Sequence, residues 1–170
     1  MAAKSSRAMD QEGLVITRVF DAPRELVWKA WTEPEHLMRW LGPKGFTTPV
    51  CKIDLRVGGE YLNCMRSPEG QEFWSKGIFR EVVAPKQLVM IGSLADEEGN
   101  IVPASHYGMS GDWPLETLIT VTFEEDDGKT KLTLRLVAPA GKDRDMAGVG
   151  WNESFDKLAE SLQALRRETQ

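Results

Sequence analysis

The chain is 170 residues long, close to one domain at roughly 150 residues each, and long enough to bury a core without disulfides or a structural metal. Its 21 Lys and Arg against 26 Asp and Glu leave a net charge of −5, and a composition 28% charged and 41% hydrophobic is that of a globular chain rather than a disordered one. With no positive surplus to draw it to phosphate backbones, nucleic acid is excluded as the first partner. No apolar run approaches the roughly 20 residues that span a bilayer, and Met1 to Gln11 lacks the apolar heart of a secretory signal. No membrane partner is therefore expected, and the cytoplasm is the expected location.

Residues 1–12, small and polar without periodicity, are expected to form a flexible tail, and residues 13–168 a single domain. Gly13 to Asp21 is β-branched and apolar, as a strand requires, and ends at Asp21-Ala22-Pro23, where Asp is expected to cap a helix and Pro to enter its first turn. Leu26, Val27, Ala30 and Trp31 recur at helical steps and form its core face. Thr32-Glu33-Pro34-Glu35 has the spacing of a capping box and predicts a second short helix carrying Leu37, Trp40 and Leu41, ended by Gly42-Pro43.

From Phe46 to Ala138 the period changes to two, punctuated by turn clusters, which predicts an antiparallel meander. With Gly58-Gly59 as a two-residue hairpin loop, Val57 faces Glu60 and, further along, Ile53 faces Cys64. One face then holds Cys51, Ile53, Leu55, Leu62 and Cys64, and the other Lys52, Asp54, Arg56, Tyr61, Asn63 and Met65. Alternation alone does not say which of them looks inward. In this register the two cysteines are diagonal neighbours, too far apart for a comfortable disulfide, and both are expected as reduced thiols.

Ile119, Val121 and Phe123, then Leu132, Leu134 and Leu136, mark two half-buried strands. The connection before them, Asp96 to Pro114, is long and polar, contains His106, Tyr107 and Trp113, and has the length of a lid. Trp151, Phe155, Leu158, Leu162 and Leu165 then form the stripe of a closing amphipathic helix. The order predicts an α+β architecture: a curved antiparallel sheet of about six or seven strands wrapped on a long C-terminal helix, with two short helices after the first strand. A sheet gripping a helix in this way leaves room for a ligand cavity.

The stretch Asp21-Ala22-Pro23-Arg24-Glu25-Leu26-Val27-Trp28, continued by Thr32-Glu33-Pro34-Glu35-His36-Leu37 and Arg39-Trp40-Leu41-Gly42-Pro43, resembles the opening of the family named after the activator of the 90-kDa heat-shock-protein ATPase. Asp54-Leu55-Arg56-Val57-Gly58-Gly59-Glu60-Tyr61, Ser67-Pro68-Glu69-Gly70, Gly77 to Val82 and Gly150-Trp151 through Leu158 are similar to its later motifs. The resemblance implies the START-like, helix-grip superfamily, which includes lipid-transfer proteins, carriers of hydrophobic molecules and polyketide cyclases, and so implies a cavity. It does not supply one function, because sites rather than folds carry function.

Neither a Gly-x-Ser-x-Gly elbow nor a Cys paired with a recognisable His motif is present, so no nucleophilic site is expected. Glu33 and His36 stand at helical spacing but read as a solvated helix face, and Gly148-Val149-Gly150 lacks the third glycine of a dinucleotide loop. No metal and no cofactor are expected. The expected partner is a small apolar or amphipathic molecule held between the sheet and the last helix. The ligand-binding candidates are Asp54, Arg56 and Tyr61 as a polar group, Met65, Trp74 and Met90 (with Phe73 and Phe79) as adaptable apolar walls, His106 and Trp113 from the long connection, and Trp151 and Phe155 from the closing helix. Trp31 and Trp40 read as core. Two alternatives stand beside this reading: a cyclase or isomerase using His106 or Asp54 as acid or base in the same cavity, and a module that assists a chaperone ATPase. A second copy of the chain is a further candidate partner.

Overall fold

Seven antiparallel strands form one sheet in the computed structural model, which describes residues 13–109 and 113–169. The tail expected over residues 1–12 lies outside the described residues. The strands are β1 (Gly13–Phe20), β2 (Thr47–Ile53), β3 (Glu60–Arg66), β4 (Glu72–Val83), β5 (Gln87–Ala95), β6 (Thr117–Asp126) and β7 (Lys129–Val137). Their order across the sheet is β1-β7-β6-β5-β4-β3-β2, so the meander from β2 to β7 runs neighbour to neighbour and β1 joins at the β7 edge. Helices α1 (Arg24–Thr32) and α2 (Pro34–Leu37) carry the chain from one edge of the sheet to the other, and α3 (Lys142–Thr169) closes it. No helix among the described residues is long and apolar enough to cross a membrane.

Two expected caps take other partners. Asp21 does not cap α1; its backbone and side-chain oxygens accept hydrogen bonds from Arg166, at 2.7 and 3.3 Å, and so anchor the far end of α3. The Thr32 hydroxyl donates to the carbonyl of Trp28 at 2.8 Å, closing α1 instead of opening α2. Pro34, the first residue of α2, has no N–H to satisfy and a φ already suited to a helix, so that helix starts without a side-chain cap.

The β2–β3 hairpin is longer than a two-residue loop. Ile53 faces Tyr61 and Cys51 faces Asn63, with residues 54–59 forming the connection. The Gly58 and Gly59 backbone pairs with β4 instead: Gly58 N donates to Phe79 O at 2.8 Å, and Phe79 N donates to Gly59 O at 2.9 Å. This pairing differs from the expected one by an odd number of residues, which turns β2 over relative to β3. Cys51 and Ile53 thus share the core face with Tyr61 and Met65, while Cys64 faces away, and both thiols are free. Gly59 is required where it stands, since a Cβ there would lie 2.0 Å from the backbone oxygen of Asp54.

On the inner face, cross-strand rows build the core. Val82, Leu88, Val121, Leu134 and Ile16 form one, and Phe79, Met90, Ile119, Leu136 and Leu14 the next. Helix α3 begins well before its apolar stripe, and its later turns bury Phe155, Leu158 and Leu162 against the sheet. Arg18 on β1 reaches across to this helix, donating to Asp156 at 2.7 Å and lying 5.8 Å from the centre of the Phe155 ring. Trp31 stacks on Trp151 at 5.8 Å with 12° between the planes and meets Trp40 edge-on at 4.9 Å.

Gly59→Ala is expected to destabilise the protein by about 2 kcal/mol or more, because the obstructing atom is backbone and cannot swing aside. Urea denaturation followed by circular dichroism measures it; a loss below about 0.5 kcal/mol would show that the loop rearranges freely.

Candidate functional site

Between the sheet and the first turns of α3 lies a cavity of about 390 Å³. Four cross-strand rows make its floor. Met65 and Phe73 form the first, Asn63, Ser75 and Leu94 the second, Tyr61, Gly92 and Thr117 the third, with Gly77 covered by the Tyr61 ring, and Phe79, Met90, Ile119 and Leu136 the fourth. Trp31, Leu37 and Leu41 wall one side, and Met146, Ala147, Gly150 and Trp151 of α3 the roof. The apolar rows thus enclose a polar belt, a direct result of which residues alternate inward on β3, β4 and β5.

Tyr61 owes its position to two glycines. Gly77 and Gly92 are paired with each other across β4 and β5, and the Tyr61 ring lies over them. A Cβ on Gly77 would be 2.1 Å from the ring, and one on Gly92 would be 2.9 Å from the hydroxyl. The ring consequently lies flat on the sheet, its oxygen aimed toward Thr117. Burial pushes its pKa up to about 12, so the phenol stays neutral.

Two polar groups of the lining are left without partners. Asn63 is 6% exposed and Trp31 7%, and among the described residues neither Asn63 Oδ1 nor Trp31 Nε1 has a hydrogen-bond partner. Both residues line the cavity. Most buried polar atoms are paired, and each exception calls for a reason. By contrast, the indole N–H of Trp40 donates to Ala30 O at 3.0 Å.

The wall at residues 42–46 is tied to α3 by side chains of that helix. Gly42 N donates to the Ser154 hydroxyl at 3.0 Å, Lys44 N to Glu153 at 3.1 Å, and the Lys157 ammonium donates to the carbonyls of Gly42, Pro43 and Phe46. Partial burial holds the Lys157 pKa below its usual range, with nearby Glu153 opposing that shift.

Residues 21–163 match the family model described as Activator of Hsp90 ATPase homolog 1-like protein. The chain belongs to this family. Among solved structures, a protein from Nitrosomonas europaea is 25% identical with a TM-score of 0.73, the alignment covering 92% of this chain and 97% of that one. One from Mycobacterium smegmatis is 26% identical, with a TM-score of 0.72 and coverage of 92% and 91%. The AHSA1 protein from Silicibacter pomeroyi shares the fold at 22% identity, with a TM-score of 0.69 and coverage of 89% and 98%. No curated protein matches the chain. The Activator of Hsp90 ATPase homolog 1-like assignment agrees with the α+β helix-grip architecture.

Of the residues singled out from the sequence of this family member, Tyr61, Met65, Met90, Trp113 and Trp151 line the cavity, as do Phe73 and Phe79. Phe155 is fully buried in the core beside Trp31 and Phe20. Asp54 and Arg56 lie outside, in the β2–β3 connection, as an exposed ion pair at 2.9 Å. Trp74 is on the opposite face, because Phe73 and Ser75 on either side of it point inward. His106 is exposed, in the single 3-10 turn Ala104–Tyr107, with its ring edge-on to Tyr107. The Tyr107 hydroxyl fastens that turn to the sheet, donating to Ala95 O and accepting from Trp74 N at 3.0 Å. Trp31 and Asn63 were not singled out as site residues. Helical periodicity marks Trp31 as core, and only the pairing across β3 and β4 sets Asn63 in the belt. Glu33, Glu35 and His36 cluster at the start of α2 and are not among the lining residues, with Glu33 3.5 Å from the His36 Nε2.

Burial also raises the Cys51 thiol to about 12, with the Glu35 charge adding to the effect. Both groups therefore ionise in the unfolded chain, near their usual values of about 9 and 10, before they ionise in the folded one. Their contribution to stability is intact below pH 9 and is lost as pH rises through about 12. The melting temperature is expected to fall over this window, and tyrosinate absorbance of the native protein to appear late. Tyr61→Phe should remove part of both effects; an alkaline melting profile unchanged in Tyr61→Phe and Cys51→Ser would refute this assignment.

Proposed function

We propose that this protein binds a small, largely apolar molecule in the cavity between its sheet and α3. The observation that carries the reading is the cavity itself. Its volume of about 390 Å³ lies within the roughly 300–1,000 Å³ usual for small-molecule sites, and Phe79, Met90, Ile119, Leu136 and Trp151 present an apolar surface. Met65, Met90, Met109 and Met146 supply flexible, polarisable contacts that adapt to varied shapes. Binding needs no covalent step, and the two candidate acid–base residues, Asp54 and His106, lie outside this space.

Native mass spectrometry beside the denatured mass is expected to reveal a retained small molecule. Emptied protein should be stabilised by trans-stilbene in a concentration-dependent way. At a hundredfold excess over the dissociation constant the gain is about 2.7 kcal/mol, or roughly 5–11 °C in melting temperature for a domain of this size. Ile119→Trp fills the floor and should weaken binding at least about tenfold, a loss of about 1.4 kcal/mol, while circular dichroism remains that of the folded protein. Undiminished binding in a folded Ile119→Trp protein would place the ligand elsewhere.

The family description carries a second reading, assistance to a chaperone ATPase, favoured by a different surface. Ile78, Leu118 and Val137 stand 41–46% exposed on the outer face of the sheet, on β4, β6 and β7. On this reading the protein raises the ATPase rate of a 90-kDa heat-shock protein and Leu118→Lys abolishes the increase. No change of rate on adding the wild-type protein would dispose of it.

A further inference from the structure

We infer that the cavity selects an uncharged molecule that carries a hydrogen-bonding group between two apolar parts, with Asn63, Tyr61 and Trp31 reading that group. This rests on the ligand-binding reading above and adds the chemical class of the ligand. The belt of Asn63, Ser75, Tyr61 and Thr117 crosses the floor between the apolar row of Met65 and Phe73 and that of Phe79, Met90 and Ile119. A molecule filling the cavity therefore sets its middle against the belt and its ends against hydrocarbon and aromatic surface.

The belt and the wall beside it together offer both kinds of hydrogen bond. Asn63 Oδ1 is an unpartnered acceptor and Trp31 Nε1 an unpartnered donor, in residues more than nine-tenths buried. A ligand group that both donates and accepts would satisfy atoms that the protein leaves unpaired, once a turn of either side chain brings them to the cavity surface. Such sites reject an analogue lacking the polar group, since the protein atoms then stay buried without partners.

Charge is selected against. No lysine, arginine or histidine is among the described residues that line the cavity. Its ionisable members are Tyr61, kept neutral by burial, and Asp143 in the first turn of α3. An entering anion would shed its water and meet no opposite charge among the described residues that line the cavity.

Three rod-shaped probes separate these features when titrated calorimetrically into the full-length protein. trans-Stilbene presents two phenyl rings about an apolar centre, benzanilide the same rings about a neutral amide, and 4-benzamidobenzoate adds a carboxylate. Benzanilide is expected to bind at least about tenfold tighter than stilbene, which corresponds to about 1.4 kcal/mol, and at least about tenfold tighter than the carboxylate. Asn63→Leu should erase most of the preference for benzanilide over stilbene. Tyr61→Phe, which keeps the ring on its glycine bed, should reduce the preference as well and serves as the test if Asn63→Leu melts early. Equal binding of benzanilide and stilbene, a preference unaltered in both folded variants, or a carboxylate bound as tightly as the amide would overturn the polar selection and leave apolar binding standing. Failure of all three probes to bind would overturn both.

Discussion

The structure depends on how Trp31 is wedged between α1, α3 and the sheet. Its ring meets Trp40 at 4.9 Å, Trp151 at 5.8 Å, Phe123 at 6.1 Å and Phe155 at 6.2 Å, so one side chain touches both helices' neighbours and β6. Aromatic pairs in these geometries each add about 0.5–1.5 kcal/mol to the area they bury. The pile is also a spacer. Beyond it, Phe155, Leu158 and Leu162 bring α3 onto the sheet, whereas before it Trp151, Gly150 and Ala147 stand over open space. The same contact that secures the core therefore opens the cavity, and truncating Trp31 would be felt in both.

The unpaired atoms at that boundary follow from the same arrangement. Trp31 must stack with its plane nearly parallel to Trp151, which determines where its N–H points, and Trp40, free of that demand, turns its own N–H onto Ala30. Asn63 sits in the belt because β3 brings Tyr61, Asn63 and Met65 to one face, and its neighbour across β4 is the short Ser75. A leucine at 63 would bury more apolar surface and leave no unsatisfied acceptor. Retaining an amide there costs stability in the empty protein, a cost that a complementary ligand offsets. On the proposed reading, stability and ligand selection are thus linked through two side chains.

Much of the fold was legible in the chain, and the failures have physical causes. Leucines at 132, 134 and 136 and the stripe from Trp151 to Leu165 declare a strand and a helix because one face of each is wholly apolar. The α3 turns before Trp151 escaped because they cover a cavity rather than a core and so carry no continuous stripe; Met146 and Val149 there are 66% and 61% exposed. The hairpin register misled because two glycines read as a tight turn when their backbone is used to pair with β4. That odd shift left Asp54 and Arg56 outside while Tyr61 remained inside. Trp74 went the same way, since composition marks it as a pocket residue and only alternation shows which face it occupies. Asn63 is the instructive case: nothing in an isolated Asn distinguishes a turn former from a buried recognition group until its cross-strand neighbours are known.

Floor and roof differ in how they are held, and this bears on what the cavity can discriminate. The floor belongs to strands paired on both sides, so Tyr61 and Asn63 are positioned by ladders that a passing ligand cannot move. The roof and the walls beside it are held by side chains: Lys157, Ser154 and Glu153 of α3 grip residues 42–46, and one tyrosine hydroxyl fastens the turn that precedes Met109 and Trp113. Elements tied by a few hydrogen bonds open at lower free energy than ladder strands. On the proposed reading, ligand size and shape are accommodated by the roof, with its methionines, while polar identity is read by the floor together with Trp31. A rigid reader beneath an adaptable cover would admit molecules of varied outline that share one uncharged hydrogen-bonding group.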